Sequence, residues 1–388
     1  MPKGLVKVWD SKQLPADWFK RQQVDQKTTA DIENNVKAII NQVKTEGDKA
    51  LLEFALKFDK AKLTPETLRV SPEEIKAAHQ QVSKEQVAAI EFMKQRGLVF
   101  QKQLLNQTEI KTFNEGIMVQ TVLRPIESVG CYIPGGQAAY PSTVVMTAVP
   151  AKIAGVPRVV VCSPCDPEGN VNPLVLVASE ICGVDEVYKV GGAQAIAALA
   201  YGTQTIAPVR KIVGPGSKYV TTAKVLVSTE VAIDMPAGPS EVLILADQWA
   251  DSRLVAFDMI SQAEHGTDSV AALITTSQKL ADETQENLAK LVAVAPRCEK
   301  VSQSLSKYGF IIVCKKIEEA IKLTNQFAAE HLEVMTANAT EIARKLVAGL
   351  ILIGSYSPVA LSDYGSGTNH VLPTGGFAKS FSGLSSLD

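Results

Sequence analysis

The sequence predicts an α/β fold with two parallel-sheet domains and a helical N-terminal region. Three observations predict it. From about residue 126, short apolar strands alternate with Ala-rich helices, the rhythm of βαβ units. A second run of the same alternation opens at Glu241-Val242-Leu243-Ile244-Leu245, whereas the first quarter shows helical spacing only. A chain of 388 residues is also long for one domain.

The elements follow in order. Ile32, Val36, Ile39, Ile40 and Val43 recur at helical spacing, and Gly47 closes that segment. Ser71-Pro72-Glu73-Glu74 is a capping box with proline at the first helical position. Ser83-Lys84-Glu85-Gln86 is a second box, and its helix carries Val87, Ile90, Met93 and Val99 and can run past Phe100. His79, among Lys76, Gln80 and Gln81, reads as a surface or packing residue. Asn114-Glu115-Gly116 between two β-rich runs signals a hairpin within 110–123.

Predicted strands then fall at Ser128–Ile133, Val159–Cys162, Glu186–Val190 and Lys211–Val213, with helices from Ser142, Pro173 and Ala193 between them. In the second run, Glu241–Leu245 leads to a helix from near Ser252 through Gln262, stopped at Gly266. Strands at Val270–Thr275, Leu332–Met335 and Leu350–Ile353 follow, with helices near 277–292, 317–327 and from Thr340. No internal repeat stands out.

Composition narrows the function classes. With 46% hydrophobic and 21% charged residues and a net charge of −2, there is no electrostatic footprint for nucleic acid or anionic membrane. No apolar run approaches the roughly twenty residues that span a bilayer, and Met1-Pro2-Lys3-Gly4-Leu5 lacks a signal-peptide core. The expected compartment is the cytoplasm, which suits six scattered cysteines read as reduced thiols, Cys162-Ser163-Pro164-Cys165 included.

Three glycine turns follow strands: Pro134-Gly135-Gly136, Gly191-Gly192-Ala193-Gln194 and Gly214-Pro215-Gly216-Ser217. Each would let backbone approach a pyrophosphate at a helix N-terminus, all on the carboxyl edge of one sheet. None is a G-x-G-x-x-G, so the expectation is a departed Rossmann-type nucleotide domain.

The last third gathers the other chemistry. Gln262 and His265 lie three apart, so on a helix they share a face. Glu330-His331 stands between a helix end and a strand, and Ser362-Asp363 through Asn369-His370 follows the apolar strand at 350–353. Three of four histidines thus fall at element ends beside carboxylates or in Gly-rich loops, the composition of a metal or acid–base site. Amide oxygen, imidazole and carboxylate would suit zinc, although no HExxH or paired CxxC is present.

At these residues the chain resembles the histidinol dehydrogenases. The resemblance rests on Tyr132-Ile133-Pro134-Gly135-Gly136, Gly191 to Ala198, Asp234 to Glu241, Gln262-Ala263-Glu264-His265-Gly266, Ala329-Glu330-His331-Leu332 and Thr368 to Thr374, in the family's order. It implies two NAD-dependent oxidations of L-histidinol to L-histidine through L-histidinal, the last steps of histidine biosynthesis. It implies a homodimer with one Zn2+ per subunit, Gln262, His265 and Asp363 being protein ligands. Glu330 and His331 become the catalytic acid–base pair, Ser240 and His370 substrate contacts alongside the zinc ligands, and Tyr132, Gln194 and Ser217 residues facing NAD.

The chain departs from the family pattern in two respects. Serine stands at 217 where the family usually has asparagine, losing the paired donor and acceptor of an amide. The family also continues a few dozen residues beyond the point matching Asp388. That tail supplies another histidine ligand and a substrate-contacting glutamate across the dimer, so the shell is expected to be open here. Alternatives are a dehydrogenase for another small polar alcohol, an inactive truncated form, and a zinc hydrolase or binding protein. The expected domains are 1–27 as an extension, 28–130 plus 240–384 as a discontinuous catalytic and zinc domain, 131–239 as the Rossmann-like NAD domain, and 385–388 as the start of the tail.

Overall fold

The fold is described from a computed structural model, over residues 4–19, 26–135, 139–236 and 238–388. Gly136 of the first glycine turn, Ala237 of the Asp234–Glu241 motif and Met1–Lys3 lie outside the described residues. The chain divides into two compact units. The first holds Met1–Val24, Ala237–Ser362 and Leu372–Gly383; the second holds Asp25–Pro236, Asp363–Val371 and Leu384–Asp388.

The second unit is built on a five-stranded parallel sheet ordered Glu186–Tyr188, Arg158–Cys162, Ser128–Tyr132, Lys211–Val213, Ala232–Ile233. Numbered along the chain within the unit, this is the order 3-2-1-4-5, a doubly wound sheet lacking its sixth strand. Its strands are apolar on both faces because both are covered. Val160, Cys162 and Ile212 join a core with helix Gly192–Tyr201, while Val129, Cys131, Val159 and Val161 join one with helix Pro141–Ile153.

The N-terminal helices pack against the helices that flank this same sheet. Helix Gln26–Glu46 sends Val36, Ile40 and Val43 into the first core, and helix Lys84–Asn106 sends Ile90 into the second. Both capping boxes form, with Glu74 N–H donating to Ser71 Oγ at 3.3 Å and Gln86 N–H to Ser83 Oγ at 3.2 Å. The division into units therefore differs from the sequence expectation, which grouped 28–130 with 240–384. The helical periodicity marked an apolar face but not the unit whose helices would bury it.

The first unit has a six-stranded parallel sheet ordered Lys7–Asp10, Phe310–Val313, Val270–Thr275, Glu241–Ala246, His331–Met335, Leu350–Ile353. Apart from the N-terminal edge strand, it repeats the order 3-2-1-4-5. Residues alternate between faces: Val242, Ile244 and Ala246 pack with helix Ser252–Ala263, and Leu243 and Leu245 with Phe327, Trp18 and Phe310. Lys7–Asp10 pairs in register with Phe310–Val313, so the expected extension 1–27 contains an edge strand of this sheet.

Smaller differences concern element ends. Helix Ser252–Ala263 is capped at Glu264, so His265 stands just past it, where its N–H still donates to Gln262 O at 3.3 Å. The strand expected from Leu332 starts at His331. The hairpin forms from Lys111–Asn114 and Ile117–Gln120, turned at Glu115 (φ 48°) and Gly116 (φ 82°). Helices Lys218–Val227 and Cys298–Tyr308 and strand Phe310–Val313 were not foreseen.

Candidate active site

In the six-stranded unit, the expected site residues collect at the amino-terminal end of the two central strands. Ser240 precedes strand Glu241–Ala246 and Glu330 precedes strand His331–Met335, which pair directly, His331 opposite Val242. Glu241, Glu330 and His331 are 2%, 6% and 4% exposed. Such burial of carboxylates costs several kcal/mol unless each is hydrogen-bonded. Here they are. Glu241 N–H donates to Glu330 Oε2 at 2.8 Å, and Glu330 N–H donates back to Glu241 Oε2 at 3.3 Å.

The His331 ring is set by the same strand start. Its Nδ1 lies 3.3 Å from Glu241 O and 3.6 Å from Glu330 Oε2. Two oxygens facing Nδ1 favour the tautomer with its proton there, which leaves the lone pair on Nε2. Gly375 N–H donates to Glu241 Oε1 at 3.1 Å, and Gly238 N–H donates to Thr374 Oγ1. The Pro373–Gly376 segment is thus tied to both sides of Ser240.

Helix Ser252–Ala263 starts from the carboxyl end of strand Glu241–Ala246 and returns to the amino end. That brings Gln262 and His265 to the same edge of the sheet. Gln262 is buried, and its amide Nε2 makes no hydrogen bond among the described residues. A buried amide left unsatisfied is a costly arrangement that a bound group would relieve. His265 is exposed. One turn before Gln262, Asp258 faces Glu333 of the neighbouring strand; burial raises the Asp258 carboxyl to about 6 and holds Glu333 well above the usual carboxylate range, aided there by the Asp258 charge.

Asp363 and His370 fall in the segment Asp363–Val371, which belongs to the five-stranded unit. Asp363 is buried, within helix Val359–Tyr364. Among the described residues, no group of three or more His, Cys, Asp or Glu side chains is arranged to hold a metal ion. The expected set has only two such side chains, its third donor being an amide.

The three glycine turns of the five-stranded unit all leave the carboxyl ends of its strands. Tyr132 ends the first strand, and its hydroxyl accepts the Gly192 N–H at 3.1 Å. Burial pushes that hydroxyl up to about 12, so it stays neutral. Gly192 has φ 65°, and a Cβ there would meet Gln194 Oε1 at 2.7 Å. Pro164 lies under both Gly135 and Gly191, where added Cβ atoms would approach it to 2.5 and 2.6 Å. That gives the Cys162–Cys165 segment a packing role. Cys131 is fully buried and its thiol is raised to about 12 by burial, which removes it as a nucleophile.

Gly214 is held most tightly. A Cβ there would lie 2.3 Å from Tyr132 O, and φ is 115°. Its N–H donates to Asp234 Oδ2 at 2.8 Å while its carbonyl accepts from Lys224 Nζ at 2.9 Å. Lys224 and Asp234 also pair with each other, with side chains 4% and 0% exposed. Ser217 then caps helix Lys218–Val227 by position but with no side-chain cap bond, and Gly191 does the same for helix Gly192–Tyr201. Neither cap residue supplies a side-chain acceptor, and although Gly192 N–H is held by Tyr132, the dipoles of the two helix N-termini suit an anion.

The sequence assigned no role to Glu241, Pro164, Lys224 or Asp234, although Asp234 and Glu241 delimit one of the motifs and signals existed. Glu241 is the one charge opening an otherwise apolar strand, and Lys224 lies on the buried face of its helix beside Val220, Ala223 and Val227. A charge in such a place needs a partner.

The sequence model of the histidinol dehydrogenase family matches residues 21–388. The chain belongs to the histidinol dehydrogenase family. The histidinol dehydrogenase of Bacteroides thetaiotaomicron is 47% identical over 384 residues, covering 98% of this chain and 88% of that protein. That of Methanothermobacter thermautotrophicus is 46% identical over 356 residues, covering 92% and 83%. The crystal structure of histidinol dehydrogenase from Elizabethkingia anophelis superposes with a TM-score of 0.91 at 38% identity, covering 100% of this chain and 89% of that one. The chain is therefore an oxidoreductase of histidine biosynthesis acting on a small molecule, with the α/β architecture of that family.

Proposed function

We propose that the chain oxidises L-histidinol to L-histidine through L-histidinal, in two successive hydride transfers to NAD, with one zinc ion per subunit. The observation that carries this reading is the buried Glu330–His331 pair, whose ring and carboxylate are both held by the start of one neighbouring strand. With its proton on Nδ1, His331 takes the substrate hydroxyl proton at Nε2. Glu330 Oε2 is engaged by Glu241 N–H, so Oε1 is the oxygen that takes a proton from the water adding to the aldehyde carbon. Ser240 and His370 contact the substrate.

Gln262, His265 and Asp363 would hold the zinc through amide oxygen, imidazole nitrogen and carboxylate oxygen, a donor set within its range. The buried, unsatisfied Gln262 amide supports this, since a rotation of the amide presents either its oxygen or its nitrogen. Zinc, when bound, supplies the charge that anchors the amino alcohol for reaction. NAD, when bound, accepts the hydride. Tyr132, Gln194 and Ser217 face it from the turns at the carboxyl edge, where the positive ends of helix dipoles favour its pyrophosphate.

A homodimer is part of the same reading. It is supported by a hairpin whose Phe113, Ile117, Met118 and Val119 are 75%, 66%, 53% and 62% exposed, an apolar surface that a second copy would bury. Among the described residues no helix is long and apolar enough to cross a membrane. We place the enzyme in the cytoplasm with the NAD-linked biosynthesis it serves, and assign it no nucleic-acid partner.

The decisive experiment supplies L-histidinol, NAD and zinc and counts NADH. Two equivalents per alcohol consumed are expected, with loss of turnover on chelation and recovery on zinc addition. One equivalent with accumulated aldehyde would remove the second oxidation, and turnover of a different polar alcohol alone would replace the substrate.

A further inference from the structure

We propose that Glu241 is a positioning residue for the Glu330–His331 pair, its carboxylate fixing where the strand carrying that pair begins and where the Thr374–Gly375 turn meets it. This rests on reading Glu330 and His331 as the acid–base pair.

The residue uses every polar group it has. Its main-chain N–H holds Glu330 Oε2 at 2.8 Å and its carbonyl oxygen lies 3.3 Å from His331 Nδ1. Its side chain accepts the Glu330 N–H at 3.3 Å on Oε2 and the Gly375 N–H at 3.1 Å on Oε1. The main-chain contacts come with any residue at that position. The side-chain contacts do not.

A carboxylate is needed because both groups facing it are N–H donors. An amide has one acceptor oxygen and one donating NH2, so glutamine would set donor against donor at one of the two contacts. At 2% exposure no bulk water relieves that clash. A merely structural strand start would be served by a neutral side chain at lower desolvation cost. Here the charge joins the segment bearing Glu330 to the segment bearing Thr374, which in turn accepts the Gly238 N–H. Ser240 lies between those two anchors. Displacement of Glu330 and His331 by under ~1 Å is then the expected result of losing one anchor.

Glu241→Gln tests this with volume and length conserved. The expected result is a kcat for L-histidinol about 10- to 100-fold lower, an NAD KM within about twofold of wild type, and a Tm lowered by only a few degrees. Glu241→Asp keeps both acceptors on a shorter stem, and an intermediate kcat is expected. A wild-type kcat in Glu241→Gln overturns the proposal, as does a loss shared equally with the NAD KM. Should Glu241→Gln not fold, Glu241→Asp decides in the same terms: wild-type kcat overturns, and reduced kcat at unchanged NAD KM supports. Glu330→Gln and His331→Asn are measured in parallel. If they keep wild-type kcat, the acid–base reading fails; if they lose it while Glu241→Gln does not, only the positioning role fails.

Discussion

At the carboxyl end of its central strand pair, the five-stranded sheet carries glycine turns, with Gly214 backbone packed against Tyr132 O. At the same end of its own central pair, the six-stranded sheet carries Asp247 instead. That carboxylate accepts the Trp249 N–H at 3.0 Å and the Ala337 N–H at 2.9 Å. The two sheets share the order 3-2-1-4-5, yet at the edge where such sheets bind nucleotides the first carries glycine turns and the second a carboxylate. In the second, Asp247 engages the Trp249 and Ala337 N–H groups, and the buried polar cluster stands at the opposite, amino end. One strand order has been put to two uses by choosing which end of the central pair is closed.

The sharpest way to break this comparison is to damage each edge and ask which kinetic constant moves. His331→Asn and Glu330→Gln at the amino edge are expected to lower kcat by about 10²–10⁴-fold, leaving the NAD KM close to wild type. A rise in NAD KM of similar size would show that the division between edges is false. At the carboxyl edge the effect is smaller and inverted. Gly214→Ala puts a methyl 2.3 Å from Tyr132 O, at a φ that alanine rarely adopts. The strain costs about 1–3 kcal/mol, so NAD KM should rise about tenfold or more, with kcat at saturating NAD changed least. Steady-state kinetics with NAD varied decides it.

The smallest effect sharpens the comparison beneath the amino edge. Asp258 holds its proton to about pH 6 in the fold, against 3.8 for the ordinary group, because burial disfavours its charge. The native state therefore binds more protons than the unfolded state between those values. Stability contributed by the site is full below about pH 4 and lost as pH rises through 6. Asp258→Asn should recover on the order of 1 kcal/mol at about pH 8 and nothing at about pH 4. Equal Tm changes at both pH values would exclude the linkage.

Much of this was legible in the chain because it is written locally. Ser71 and Ser83 announce helices through their own capping boxes, and the turns at Gly191 and Gly214 follow apolar strands as βα turns must. What was not legible depends on distant partners. Lys7–Asp10 is a strand only because Phe310–Val313 lies beside it, and its four residues alone carry no usable period. Helix Gln26–Glu46 shows an apolar face but not which unit will bury it. Among site residues, Glu330 and His331 were visible as a charged pair at an element end. Glu241, Lys224 and Asp234 were not, because each acts on backbone groups that only the fold brings near.

The clamp on Gly214 has one more consequence. An ion pair of Lys224 and Asp234 grips the peptide planes on both sides of this residue, its N–H in one and its carbonyl in the next, so neither plane can flip without breaking a charge-assisted bond inside the protein. Many anion loops form their cradle only when the ligand arrives. This one is already cocked, and whatever enters meets a fixed template whose ordering entropy was settled when the chain folded.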